Sequence, residues 1–281
     1  MYLLLSILAW YALFPQDVVY DVRYANLEYK EVNGEHLTLD AFLPGDAAAP
    51  TSAVIFVHGG GWFLRDRDDY RDFALGMARK HIAGIAIDFR LLPDNGWQAQ
   101  LDDIKDAIRW VRTNHEMLNI DPDRIGIFGS SSGGHLAALA AFAGTGEGLG
   151  DDPPGTSSAV QSAVILEGLY DLTEDFNAIV KLLSFYFTGG TTLYLDPATY
   201  KDFSPFYKID GSEPPTLFLY ASRDTIVPEG QAERTAAKLI ENGAPAHVIV
   251  FPGLYHGFTL FKPWTRPNVM ALLYGHFLLT L

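Results

Sequence analysis

The hydrophobic pattern of the chain alternates between two periods. Continuous β-branched and aromatic runs occur at Ala53-Val54-Ile55-Phe56-Val57 and at Gly84-Ile85-Ala86-Ile87-Asp88. This is the composition of strands buried on both faces of a sheet. Arg124 to Phe128, Ala163 to Leu166, Thr216 to Tyr220 and His247 to Phe251 repeat the signal. Ahead of them, Val18 to Tyr24 and His36 to Phe42 read as two more strands, with Asn33-Gly34 between them as a hairpin turn. Between the runs the period lengthens. Leu101, Ile104, Ile108 and Val111 recur three and four residues apart, one apolar face of a helix. Tyr70 to His81, Ser132 to Phe142, Glu229 to Asn242 and Met270 to Leu279 also read as helices, with Gly243 closing the third of these as a C′ glycine. Eight strands with helical crossovers predict an α/β fold with a mostly parallel sheet, antiparallel only at the opening hairpin.

Two stretches break the alternation. Gly144 to Ser158 is a Gly/Pro/Asp-rich loop, and Leu172 to Pro215 is a long insertion that contains Phe185-Tyr186-Phe187. Insertions of that size in compact domains usually carry function or their own structure. The expectation is one domain over residues 1–281 in which 172–215 form a cap beside the active site. At the N-terminus, Leu3 to Phe14 is apolar apart from Ser6 and ends at Pro15. It is short of the ~20 residues needed to span a bilayer, and the first basic residue is only Arg23, which does not suit a secretory leader. Residues 1–16 are read as a packed helix lying over a pocket or a partner subunit, with a signal segment as the alternative. No stable membrane span is expected, and a homodimer stays open.

Composition then narrows the field. Of 281 residues, 48% are hydrophobic, which supports a large core and excludes intrinsic disorder. With no cysteine, disulfide scaffolds, thiolate metal sites and cysteine nucleophiles are excluded. The 34 acidic and 20 basic side chains give a net charge of −14. That charge disfavours phosphate backbones, so no nucleic-acid partner is expected.

The candidate chemistry lies where strands end. Gly129-Ser130-Ser131-Ser132-Gly133 fits G-x-S-x-G, with Ser131 at the centre and both glycines at the required offsets. A strand precedes it and a helix follows, so a sharp turn can lift the serine out of the backbone. His58-Gly59-Gly60-Gly61-Trp62 follows the third strand. Three successive glycines cost folding entropy, and a site that keeps them needs exposed backbone. The N–H groups of Gly60 and Gly61, joined by that of Ser132, are the candidate oxyanion donors.

Asp224 follows the seventh strand and His256 the eighth, giving the order Ser, acid, His at carboxyl ends of strands. A neutral imidazole can take the serine proton, and a carboxylate behind it fixes the tautomer. Among rival acids, Asp171 and Glu167 follow the sixth strand; Asp224 is preferred and Asp171 is the fallback. Among rival histidines, His58 is expected to order its own loop and His135 to point away from the site. His81, His115 and His276 lie in helical stretches, and His36 and His247 in strands. No Walker-type, G-x-G-x-x-G or H-E-x-x-H pattern occurs. The run Asp66, Asp68, Asp69 lacks EF-hand spacing. No metal and no cofactor are expected.

At this point the chain resembles a known family. His58 to Trp62, Asp88 to Pro93, Ile120 to Ile125, Gly129 to Ala137, Arg223 to Pro228 and His256-Gly257-Phe258 are similar to motifs of α/β-hydrolase fold esterases. The nearest branch is the bacterial one related to hormone-sensitive lipase and to BD-FAE-type (bifunctional feruloyl/acetylxylan-like) esterases. Where hormone-sensitive-lipase-type elbows read G-D-S-A-G-G, this one carries Ser130 and Ser132, which moves the match toward the BD-FAE side. The resemblance implies hydrolysis of a small-molecule carboxylic ester, with Ser131 as nucleophile, His256 as base and Asp224 as orienter. Trp62, Trp97, Tyr170, Phe185, Phe187 and Phe258 are candidates for the pocket wall, each read as a core residue unless the cap folds over the site. Two alternatives stay open: an aryl-formamidase using the same triad, and a catalytically silent binding protein on this scaffold. A cytoplasmic location is expected, with a secreted or periplasmic one open because of the apolar N-terminus.

Overall fold

The computed structural model describes residues 20–143, 156–228 and 230–281. The apolar run Leu3 to Phe14, with the helix expected over residues 1–16, lies outside the described residues, as do residues 144–155 of the Gly/Pro/Asp-rich loop.

Eight strands form one sheet: β1 (Tyr20–Val32), β2 (Glu35–Pro44), β3 (Thr51–Val57), β4 (Ala83–Ile87), β5 (Ile120–Ser130), β6 (Ser162–Leu166), β7 (Thr216–Ala221) and β8 (Ala246–Phe251). Their spatial order is β1-β2-β4-β3-β5-β6-β7-β8. Only β2 runs against its neighbours, and every other pairing is parallel. The hairpin turns at Asn33 and Gly34, both with positive φ (53° and 83°), as the dipeptide predicts. From β3 the chain moves to β4 on one side and then returns to β5 on the other. Parallel sheets open a crevice at such a reversal, above the carboxyl ends of the flanking strands.

Burial on both faces explains the unbroken apolar runs. Val54, Phe56, Phe128, Val164, Leu217 and Leu219 face one core. Ile55, Val57, Ile85, Ile125, Ile127 and Ile165 face the other, because successive strand residues point to opposite sides. Helices α1 (Arg71–Ala78) and α9 (Arg266–Thr280) cover the first face, through Phe73, Met77, Val269 and Leu273. Helices α2 (Trp97–Thr113), α4 (Ser132–Phe142) and α7 (Gln231–Glu241) cover the second. The stripe Leu101, Ile104, Ile108 and Val111 on α2 is fully buried. A short α3 (His115–Leu118) precedes β5.

Several boundaries differ from the sequence reading. The first helix expected at Tyr70–His81 is a 3-10 turn (Arg67–Tyr70) capped by Asp66, followed by α1, and the chain leaves it through His81 at φ 61°. Strand β5 begins at Ile120 rather than Arg124, with a register break between the pairings of Ile120 and Ile125. Helix α9 begins at Arg266, four residues before Met270, because Pro267 supplies a preformed first turn. The insertion between β6 and β7 folds into α5 (Ala178–Phe187) and α6 (Pro197–Asp202), capped by the side chains of Asn177 and Asp196. A last short helix, α8 (Phe258–Phe261), links β8 to α9. No helix among the described residues is long and apolar enough to cross a membrane.

Candidate active site

The turn from β5 into α4 holds Ser131 at φ 55°, ψ −124°, a conformation that a non-glycine residue adopts only where its surroundings enforce it. A hydrogen bond from Ser131 N–H to the Leu166 carbonyl at 2.9 Å helps to fix it. The flanking glycines are required by close approach. A Cβ on Gly129 would stand 2.2 Å from the Gly133 carbonyl oxygen, and one on Gly133 would stand 2.2 Å from that of His58. The second clash shows that the elbow and the loop after β3 pack backbone to backbone. A Cβ on Gly59 would lie 3.4 Å from the Cβ of Ser131, so that loop runs directly beside the serine.

Within the loop, Gly60 has φ 113°, and its carbonyl accepts from Phe63 and Leu64 N–H groups at 3.3 and 3.1 Å. The turn so formed uses the Gly60 oxygen and engages neither the Gly60 nor the Gly61 N–H. Gly61 sits against the insertion: a Cβ there would lie 3.1 Å from Cδ1 of Leu183 on α5. His58 stacks on Phe89 at 4.3 Å, and its Nδ1 is 2.8 Å from the Gly59 carbonyl oxygen. Burial holds its pKa below the usual histidine value, so it is neutral and donates that bond. This is the loop-ordering place expected of it.

The three residues separated in sequence meet at one point. Ser131 Oγ is 2.8 Å from His256 Nε2, and His256 Nδ1 is 2.7 Å from Asp224 Oδ2. Asp224 is aimed by its own turn, because Oδ1 accepts from the N–H groups of Ile226 and Val227 at 2.8 and 2.9 Å. Burial alone would lower the His256 pKa. The Asp224 hydrogen bond and the charges of Glu167 and Asp224 outweigh it, and the net shift is upward. With Asp224 accepting at Nδ1, that nitrogen carries the proton and Nε2 is the acceptor facing Ser131.

The rival residues fall elsewhere. Asp171 Oδ1 accepts from the N–H and hydroxyl of Thr173 at 3.0 and 2.5 Å, a local turn with no link to His256. His135 is fully buried behind Ser131. Its Nδ1 accepts from Trp62 Nε1 at 3.2 Å and its Nε2–H donates to the Phe203 carbonyl at 2.6 Å. Burial pulls its pKa down to about 4, so it is a neutral core group. His81 and His36 are exposed and lie against Asp46 and Glu28, while His276 Nε2 reaches the Pro215 carbonyl at 3.3 Å.

Most of the aromatic candidates for the pocket wall lie in the core. Trp62, Trp97, Tyr170, Phe187 and Phe258 are each buried, and Trp62 stacks on Phe187 at 4.6 Å. Trp62, Trp97, Phe187 and Phe258 sit on inward faces around the sheet ends, whereas Tyr170, though buried, borders the cavity beside Glu167 and Asp224. Only Phe185 is half-buried.

Strand order does not single out one further acid that lies beside the relay. Glu167, at the end of β6, is 1% exposed, and its Oε2 accepts from the Gly257 N–H at 2.7 Å. Its position at a strand's carboxyl end was the available signal. Glu167, Asp224 and His256 bring one polar atom each within 4.8 Å of the others, and an exposed group, Glu28, Glu31 and His36, does the same on the β1–β2 hairpin. In the first group both imidazole nitrogens and the facing oxygens of Asp224 are already engaged in hydrogen bonds. That suits a proton relay better than ligation of a cation.

An eight-stranded, mostly parallel sheet with a strained serine turn after β5, an acid after β7 and a histidine after β8 defines the α/β-hydrolase fold. Within that class, the chain belongs to the BD-FAE family, whose family model matches residues 39–239, in line with the serines flanking the elbow. Among curated proteins it is similar to Esterase LipQ of Mycobacterium tuberculosis, 30% identical over 247 residues, which cover 86% of this chain and 58% of LipQ. Esterase LipC of the same organism is 30% identical over 231 residues, covering 79% of this chain and 57% of LipC. The chain thus spans little more than half the length of these curated relatives. Among solved structures, a truncated carbohydrate esterase from gut microbiota superposes with a TM-score of 0.78 at 26% identity, covering 93% of this chain and 99% of that one. Propionate-bound esterase 2 of Thermogutta terrifontis shares the fold, with a TM-score of 0.77 at 24% identity and coverage of 95% and 96%.

Proposed function

We propose that the protein is a serine carboxylic-ester hydrolase acting on short-to-medium acyl or aryl esters. The observation that carries this reading is the unbroken path from Ser131 Oγ through His256 to Asp224, with links of 2.8 and 2.7 Å, at a strained serine turn. Ser131 Oγ attacks the ester carbonyl while His256 Nε2 takes its proton. The N–H groups of Gly60, Gly61 and Ser132 receive the oxyanion, and Ser132 contributes at the positive end of α4. On collapse of the intermediate the C–O bond to the alcohol breaks, and His256 returns the proton to the departing oxygen. Water then attacks the acyl-serine by the same route, releasing the acid and restoring Ser131. Asp224 holds the imidazole in its productive tautomer and steadies its cationic form.

The insertion is read as a cap that borders the site, supported by the contact of Leu183 with the Gly61 position. The relatives named as esterases support the reaction class. A panel of p-nitrophenyl acetate, butyrate and octanoate against N-formylkynurenine tests the reading, together with fluorophosphonate labelling followed by intact mass. The wild type should turn over the esters and take one label. Ser131→Ala should take none and lose roughly 10⁵–10⁶ in kcat. Turnover of the formamide alone would instead indicate an aryl-formamidase, and neither turnover nor labelling would indicate a silent scaffold.

A further inference from the structure

Among the described residues, Glu167 is an ionisable group beside the relay that the acyl-transfer scheme leaves without a task. It carries two local costs. Its φ of 52° is in the left-handed region, strained for a glutamate. Its Oε1 is buried without a hydrogen-bond partner among the described residues, and a half-satisfied buried carboxyl is expensive. Both costs fall on a side chain whose other oxygen grips Gly257 N–H, the residue after His256. A neutral acceptor would anchor that N–H as well, so the anchor alone does not account for a charged group.

We infer that Glu167 is a second acid of this site: a positioning residue that fixes the His256–Gly257 segment and whose carboxylate, beside that of Asp224, stabilises the imidazolium formed when Ser131 attacks. This assignment rests on the esterase reading above. Like charges packed together disfavour double ionisation, and the surroundings bear this out. Burial, reinforced by the Asp224 charge, pushes the Glu167 pKa up to about 7, against the pull of His256 and the Gly257 N–H. Reciprocally, the Glu167 charge is among the causes that raise His256. The groups that face Glu167 are His256 after β8, Asp224 after β7, Tyr70 before α1 and Tyr170 in its own loop. Among the described residues, Glu233 on α7 lies with Glu167 on the wall of a cavity of about 200 Å³ behind Asp224. Burial raises both tyrosine hydroxyls, so they are neutral near pH 7. Glu167 and the imidazole, each among the causes of the other's shift, therefore titrate as a coupled pair.

Glu167→Gln keeps an acceptor for Gly257 and removes only the charge. His256 should then titrate about one pH unit lower, and kcat for p-nitrophenyl acetate on the alkaline plateau should fall roughly tenfold. The two changes should match, because both read the same charge–imidazolium interaction. Glu167→Asp, which keeps the charge but cannot reach Gly257 as well, should hold the His256 titration near its wild-type position while lowering kcat. The His256 titration is followed by NMR of the imidazole, independently of turnover, and kcat by its pH profile. An unchanged His256 titration in a folded Glu167→Gln protein would overturn the assignment, as would an unchanged plateau kcat. If the variant shifts the imidazole as expected but neither protein hydrolyses any ester, the esterase reading fails and the second acid stands.

Discussion

Asp224→Asn tests the relay most sharply, because the structure dictates how the amide must sit. In the wild type one carboxylate oxygen accepts from two turn N–H groups and the other from His256 Nδ1–H. Asparagine offers only one such oxygen. With that oxygen toward Ile226 and Val227, its NH₂ faces His256 Nδ1, which must give up its proton. The proton then resides on Nε2, where Ser131 needs an acceptor. The opposite orientation restores the tautomer but sets the NH₂ against two N–H donors and forfeits both turn bonds. At about 1–1.5 kcal/mol each, that costs roughly 2–3 kcal/mol and leaves on the order of one molecule in 100 productive. Losing the carboxylate charge beside the imidazolium removes a further ~1.5–3 kcal/mol, or roughly 10–100-fold. The expected fall in kcat is therefore about 10³–10⁴-fold, the scale expected when a triad histidine is held in the wrong tautomer. Steady-state hydrolysis of p-nitrophenyl acetate at pH 8, alongside a thermal melt, measures it. A variant with an unchanged melt and more than a tenth of wild-type kcat would refute the tautomer argument.

Further outcomes follow from the same geometry. Gly133→Ala forces a Cβ against two carbonyl oxygens at 2.2 and 2.4 Å, both backbone, and should lower stability by at least about 3 kcal/mol, read as a large drop in melting temperature. Asp171→Asn should change kcat by less than about threefold, since Asp171 serves only its own turn; a large loss would restore it as the acid. The buried Glu167 binds its proton up to about pH 7 when folded, against the ordinary glutamate value of 4.5. The folded state therefore holds a proton that the unfolded chain has released, and stability falls as pH rises from about 4.5 to about 7, by on the order of 3 kcal/mol. Urea unfolding at pH 5 and pH 8 should show that loss in the wild type and little of it in Glu167→Gln.

Much of this architecture is legible in the sequence for a physical reason. Strands covered on both faces must be apolar at consecutive positions, so β3 to β8 stand out as runs, and the elbow glycines stand out because a backbone contact forbids any side chain. The same rule fails at polar element ends. Strand β5 extends back through Asp121-Pro122-Asp123 because its register break lets those residues face outward, and nothing in their types signals pairing. The insertion announces itself by length, yet its two helices depend on caps at Asn177 and Asp196 set within a segment with no clear period. Residue type makes the aromatic residues candidates for either place, because type does not distinguish a ring facing a cleft from one facing the core. Glu167 was visible as a strand-end acid. Its approach to Gly257 depends on a left-handed backbone that a glutamate gives no reason to expect.

The position of β8 has a consequence for how the protein fails under stress. It is an edge strand and is only partly buried along most of its length, and His256 hangs from the turn beyond it. That turn is moored by a few hydrogen bonds, from Ser222 to Phe251, Arg223 to Leu254 and Gly257 to Glu167. Ser131, in contrast, is seated over the middle of the sheet. Edge elements open locally at lower free energy than the interior. Mild heating or low urea should therefore detach His256 from Ser131 while Trp62 and Trp97, both buried in the interior, still report a native core. Activity then measures the fastening of one margin of the sheet, and its early, reversible loss would occur without unfolding of the whole.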